Sequence, residues 1–279
     1  MNLLLRVISA VVLLPVVLVL IHLGGDFTFG LLAVAGAICL YEYGSIVARG
    51  DKIARATFVL IGALVILVGM RVGDATLAFL SIHLGTLAIA ILFTVRTGEF
   101  STTWPRMGAL AFGIPYVGLG VIAIYRLRAF GNSLETWAAP TWLYVALLAT
   151  WSNDTFAYFA GRAFGKHKLY EKVSPKKTWE GFLGGAVGSV AMLFLVKALF
   201  PSAFGHFHWA DLVWIGAPAS VLGPLGDLAE SLMKRNYGVK DSGHTIPGHG
   251  GMLDRVDALF FVAPWVLLYA VGLRPFVIG

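Results

Sequence analysis

The residues most able to do chemistry lie between Ser231 and Asp257, where the chain reads S-L-M-K-R-N-Y-G-V-K-D-S-G-H-T-I-P-G-H-G-G-M-L-D-R-V-D. Lys234, Arg235, Lys240 and Arg255 alternate there with Asp241, Asp254 and Asp257 around a glycine-rich centre. A metal-bound polyphosphate needs this mixture: carboxylates for a hard cation, cationic side chains for phosphate oxygens, and glycines that let backbone N–H groups approach. The basic residues alone also suit an ordinary loop on the positive side of a membrane; the whole cluster asks for more.

Asp254 and Asp257 are three apart, as are Asp227 and Glu230. On a helix that spacing shares a face. A carboxylate at membrane depth costs about 2.5–3.5 kcal/mol on insertion scales, so it needs a partner or a polar cavity. Two facing helix ends could thus form a magnesium site from Asp227, Asp254 and Asp257; the competing reading is salt bridging to Lys234 or Arg255. Gly248, His249, Gly250 and Gly251 form a turn before Asp254. His249 either reaches a phosphate or pins the loop.

A second loop carries G-R-A-F-G-K-H-K-L at 161–169 and S-P-K-K-T-W-E-G at 174–181. Ser174, Lys176, Lys177 and Thr178 precede an apolar run, so two lysines and two hydroxyls meet a helix N-terminus, a ready phosphate site. Lys166, Lys168 and Lys172 read better as an anchor for anionic head groups. Asn153 and Asp154 interrupt another apolar run and divide between a functional and a structural reading. Glu42, between Tyr41 and Tyr43, and His22 and His83 are isolated polar groups and receive no role.

The elements that must position these residues follow from composition. Of 279 residues 58% are hydrophobic and 13% charged, with a mean hydropathy of +0.81, against about a quarter charged in soluble domains. The apolar residues fall into nine runs, roughly 4–23, 28–48, 56–73, 75–95, 107–125, 140–160, 181–200, 209–229 and 257–273. With no water to satisfy the backbone, spans are helices or a closed barrel, and no ten-residue alternation of barrel type occurs. The expected fold is therefore an all-α polytopic bundle of about nine spans. The first run resembles a signal peptide but reads as an uncleaved anchor. N-terminal spans would occupy 1–138, and a catalytic half with loops 161–180 and 230–256 would occupy 139–279.

An N-terminus inside places 16 of the 21 Lys and Arg residues on the cytoplasmic side, from Arg6 and Arg96 to Arg255, and leaves Arg71, Arg126, Arg128 and Arg274 opposite, with Lys197 near the outer end of the seventh run. The net charge of +6 is thereby placed toward anionic lipid and nucleotide rather than nucleic acid. The lone Cys39 argues against redox chemistry and structural zinc.

The stretch from Ser231 to Asp257 resembles the signature of phosphatidate cytidylyltransferases: K-R, then K-D, then P-x-H-G-G, then D-R-x-D. The N-D-T-F-A-Y-F-A-G-R and S-P-K-K-T-W-E-G motifs are similar to the family's as well, so the likeness covers about 154–257. It implies that CTP and phosphatidic acid give CDP-diacylglycerol and pyrophosphate with magnesium, in the inner (plasma) membrane with the site on the cytoplasmic side. One or two cations would sit on Asp227, Asp254 and Asp257. Lys234, Arg235, Lys240, Arg255, Lys176 and Lys177 would hold phosphates, assisted by Ser174, Thr178, Ser231, Asp241, His249, Gly250 and Gly251. The resemblance also carries a homodimer as the expected assembly, within membrane lipids. Competing expectations are a CTP-dependent lipid kinase, a cytidylyltransferase for another membrane lipid, a cation-coupled transporter, and a lipid-binding scaffold.

Overall fold

The computed structural model describes residues 3–95, 99–130 and 140–278. Arg96 and the expected junction at 138/139 lie outside the described residues, as does the side chain of Arg6. The described chain is helical: α1 (Leu3–Leu23), α2 (Gly25–Val47), α3 (Lys52–Arg71), α4 (Ala75–Thr94), α5 (Phe100–Phe130), α6 (Thr141–Phe164), α7 (Trp179–Leu199), the short α8 (Pro201–Phe204), α9 (Trp209–Asn236), the short α10 (Leu253–Val256), α11 (Leu259–Leu268) and, beyond a π turn, α12 (Arg274–Ile278). Among the described residues seven helices are long and apolar enough to cross a membrane: α2, α3, α4, α5, α7, α9 and the stretch Leu259–Val277. Side chains such as Leu60, Phe79, Leu84 and Val187 are exposed, as suits a surface solvated by lipid tails. The protein is a helical, polytopic membrane protein.

Two details of the helical framework matter for chemistry. The loop before α7 contains an antiparallel hairpin of β1 (Lys168–Tyr170) and β2 (Ser174–Thr178), with Lys168 opposite Thr178 and Tyr170 opposite Ser174. Pro175 cannot donate to a helical ladder, which favours extended backbone before Thr178. The eighth span does not stop near 229 but continues as α9 to Asn236. Side chains four apart hold that extension, with Ser231 Oγ donating to Asp227 Oδ1 at 3.2 Å and Lys234 Nζ to Glu230 Oε2 at 2.5 Å. The chain then turns at Gly238, whose φ of 70° suits a residue without a Cβ.

The chain forms two compact units, one of Met1–Tyr125 with Asn236–Arg255 and the other of Arg126–Arg235 with Val256–Gly279. In the first, α2, α3 and α4 pack in succession. Asp51 and Asp74 cap α3 and α4 by accepting from the Ala54 and Leu77 amides at 2.9 and 2.8 Å. Leu40, Phe58, Ile89, Leu110 and Ile114 are fully buried there. Gly62 lets α3 approach Leu40 of α2, since a Cβ on it would stand 2.6 Å from Leu40 Cδ2.

In the second unit α6 and α7 form the tightest helix pair. A Cβ on Gly184 would lie 2.2 Å from Ala160 Cβ, and one on Gly188 would lie 2.2 Å from Phe156 Cγ. Small residues drive such packing in lipid because close backbone approach gains dispersion where no hydrophobic effect operates. Thr178 caps α7, accepting from Gly181 N at 3.1 Å. Glu180 ties the preceding turn by accepting from the amides of Lys166 and His167. At the other end of α7 and α9, the buried Asp211 accepts from Tyr269 OH at 2.7 Å and from Arg274 at 3.0 and 3.1 Å.

Candidate active site

The second unit contains a cavity of about 370 Å³ lined by Asn153, Asp154, Tyr158 and Arg162 of α6, Lys176, Lys177 and Thr178 of β2, Gly181 and Phe182 of α7, and Pro224 and Asp227 of α9. The tight α6–α7 packing fixes two walls. The hairpin brings the lysines to the third, and the extended α9 brings Asp227. Lys177 Nζ stands 2.7 Å from Asp227 Oδ2 and donates to Pro224 O at 3.3 Å. Asp227 thus pairs with Lys177, while the expected salt bridge to Lys234 is made by Glu230. Lys234 is buried against Glu230 in the same unit.

Asp257 precedes the last span, in a break between α10 and α11, so the expected continuous helical face carrying Asp254 and Asp257 does not form. Asp257 Oδ1 accepts from Ala258 N at 2.7 Å. Burial pushes its carboxyl up to about 7, and the neighbouring Asp227 charge acts in the same direction.

In the first unit the glycine-rich loop is built around two carboxylates. Asp254 accepts from Ser242 N at 3.0 and 3.2 Å and from Gly251 N at 2.9 Å. Glu42, 3% exposed, accepts from Met252 N at 3.0 Å, Leu253 N at 2.8 Å, Ser242 Oγ at 3.1 Å and Thr245 Oγ1 at 2.5 Å. The glycines were expected to free backbone N–H groups for phosphate. Those of 242, 251, 252 and 253 are instead taken up by the protein's own carboxylates. Gly248 and Gly250 have φ of 79° and 87° and provide the reversal. His249 meets Ser9 Oγ through Nδ1 at 2.9 Å, which pins the loop, and Arg255 Nη2 donates to His249 O at 2.7 Å.

The expected site residues therefore divide. Lys176, Lys177, Thr178 and Asp227 line one cavity, although the Thr178 hydroxyl already caps α7. Ser174 pairs across the hairpin and does not line it. Ser231, Lys234 and Arg235 stand on the extension of α9, with Arg235 exposed. Lys240, Asp241, His249, Gly250, Gly251, Asp254 and Arg255 belong to the other unit, where Lys240, Asp241 and Arg255 are exposed. Sequence reasoning missed Arg162 and Tyr158 as cavity residues and gave Glu42 no role. A lone acid in the apolar run 28–48 was the available signal for Glu42.

Within each unit no three His, Cys, Asp or Glu side chains among the described residues are arranged as a metal cage. Magnesium seldom requires one, because it commonly takes one or two carboxylates and completes its shell with water and substrate phosphate. The donors of the second unit fit that habit: Asp227, Asp257 and Asp154 are hard oxygen donors, and the buried Asn153 Oδ1 has no hydrogen-bond partner.

Comparison with known proteins gives the site its context. The model of the cytidylyltransferase family matches residues 4–272. A phosphatidate cytidylyltransferase of Brucella abortus biovar 1 is 37% identical over 277 residues, 97% of this chain and 93% of that protein. Proteins of the same name from Staphylococcus saprophyticus and Bacillus subtilis are 44% identical over 151 residues and 37% identical over 182. The chain spans about half the length of the staphylococcal relative, 54%, and 64% of the Bacillus one. A match running through nearly every helix, signature loop included, shows that this chain belongs to the cytidylyltransferase family.

Proposed function

We propose that the protein transfers the cytidylyl group of CTP to phosphatidic acid, giving CDP-diacylglycerol and pyrophosphate for phospholipid synthesis. The observation that carries this reading is the cavity in which Lys177 and Asp227 pair beside Asp154, Lys176 and Arg162, in a chain of the cytidylyltransferase family. The phosphate of phosphatidate attacks the α-phosphorus of CTP, and pyrophosphate leaves. That nucleophile is already an anion, so no strong general base is needed. Catalysis reduces to alignment and to offsetting repulsion between two polyanions.

Lys176, Lys177 and Arg162 supply positive charge at the cavity. The 2.7 Å contact with Asp227 fixes the Lys177 ammonium before substrate arrives. Asp227 and Asp257 are the residues that would hold magnesium, which when bound supplies Lewis-acid neutralisation of phosphate oxygens. Asp254, the third expected ligand, also gathers the Ser242 and Gly251 amides of its loop. Lys240, Arg235 and Arg255 serve the polyphosphate as exposed cations.

The proposed setting is the inner (plasma) membrane, with about nine spans and the N-terminus and active site on the cytoplasmic side. A homodimer is the proposed assembly, and 139–279 is the catalytic half. The test is purified protein in lipid micelles with phosphatidic acid and labelled CTP. Label from the α-phosphate is expected in lipid; γ-label in lipid identifies a kinase, and no lipid label with phosphatidate sinks the acceptor assignment.

A further inference from the structure

We propose that Glu42 of α2 is the positioning residue of the 242–253 loop, clasping its two ends so that the loop is preshaped for CTP. The inference rests on the cytidylyltransferase reading for its ligand but on geometry for its mechanism. Each carboxylate oxygen binds one donor from the start of the loop and one from its end. Oε1 takes Thr245 Oγ1 and Met252 N; Oε2 takes Ser242 Oγ and Leu253 N.

The arrangement demands a carboxylate. All four partners donate, and an ionised carboxylate is acceptor-only, whereas an amide would present N–H groups to two of them. Bonds to an ionised acceptor are also the stronger kind. Among the described residues no cation pairs with Glu42, so these donors alone compensate a buried charge, and releasing the loop would expose it to the apolar interior of its unit. Shape points the same way. A Cβ on Gly243 would lie 2.6 Å from Oε1, and one on Gly251 would lie 2.6 Å from Oε2. Gly243 is thereby explained by close approach to the carboxylate, and Gly251, whose Cβ would first meet Ser242 Oγ at 2.1 Å, by close approach to the clasp as a whole.

The clasp bears on the signature directly. Ser242 uses its hydroxyl on Glu42 and its amide on Asp254, and Arg255 closes on the His249 carbonyl of the same loop. Without Glu42 the two ends lose four of the bonds that join them, and more of the ordering of the loop falls to the nucleotide, which raises the CTP concentration needed.

The experiment compares full-length wild type and Glu42→Gln in detergent by hydrogen exchange, thermal unfolding and steady-state kinetics. Glu42→Gln is expected to speed exchange of the Met252 and Leu253 amides at least tenfold while leaving α6 and α7 protected. KM for CTP should rise about tenfold or more, with KM for phosphatidate within about twofold. Glu42→Asp, which keeps the charge on a shorter stem, should recover part of both effects. Unchanged loop exchange overturns the clasp; faster exchange with unchanged KM for CTP overturns the link to nucleotide. If Glu42→Gln does not fold, Ser242→Ala with Thr245→Val removes two of the four donors and is read the same way. Absence of CTP turnover in wild type would defeat the proposed activity while leaving the exchange result to decide the clasp.

Discussion

Lys177 and Asp227 meet across the cavity of the second unit, ammonium to carboxylate at 2.7 Å, with the lysine side chain 24% and the aspartate 39% exposed. The pair joins the end of the β-hairpin to the middle of α9, so each partner fixes where the other's charge stands.

Removing either partner should affect turnover more than stability. A part-exposed ion pair contributes only about 0–1 kcal/mol to folding, whereas a misplaced charge in a site that works by electrostatics costs on the order of 10²-fold or more in rate. Lys177→Met and Asp227→Asn are each expected to lower kcat/KM by about that factor with little change in Tm. The double variant should lose far less than the product of the two, because both act on one unit.

Asp257 should make magnesium binding pH-dependent. Its carboxyl is raised to about 7 by burial and by Asp227, and a ligand must shed its proton before it binds a cation. Raising pH through 7 therefore favours the metal-binding form. The magnesium concentration for half-maximal activity at pH 6 is expected to be roughly ten times that at pH 8, the ratio of deprotonated fractions for one such group. Asp257→Asn should abolish the dependence and weaken magnesium binding at every pH; a flat profile in the wild type would remove Asp257 from the ligand set.

Gly184 tests the close approach of α6 and α7. Its missing Cβ would stand 2.2 Å from that of Ala160, so Gly184→Leu must separate the helices. Overpacking of this kind costs about 1–3 kcal/mol. The expected result is a lower Tm in detergent together with reduced activity, because the same two helices wall the cavity.

Asp211 provides the opposite pattern. It is 0% exposed and accepts from Tyr269, from Arg274 and from the His208 amide. Breaking a buried pair by removing one partner costs about 3–5 kcal/mol. Asp211→Ala is expected to melt earlier by that order, while the molecules that remain folded keep kcat within about twofold. A large loss of kcat at full stability would assign this network to the chemistry.

The local chemistry of the sequence settled much of this. Apolar runs of bilayer length without strand alternation read as helices; Asp227 stood out because charge at membrane depth needs a reason, and Lys176 and Lys177 because they precede a helix N-terminus. The signature loop was legible because its residue types are incompatible with a plain connector. Tertiary structure decided what one-dimensional spacing cannot encode. It set Lys177 against Asp227 and Lys234 against Glu230, and broke the helix between Asp254 and Asp257. It carried α9 on to Asn236, and filled the loop's backbone donors with Glu42 from about two hundred residues away. A carboxylate's partner is whichever donor the fold brings within about 3 Å, and in a bundle that donor comes from packing between distant segments rather than from neighbours in the chain.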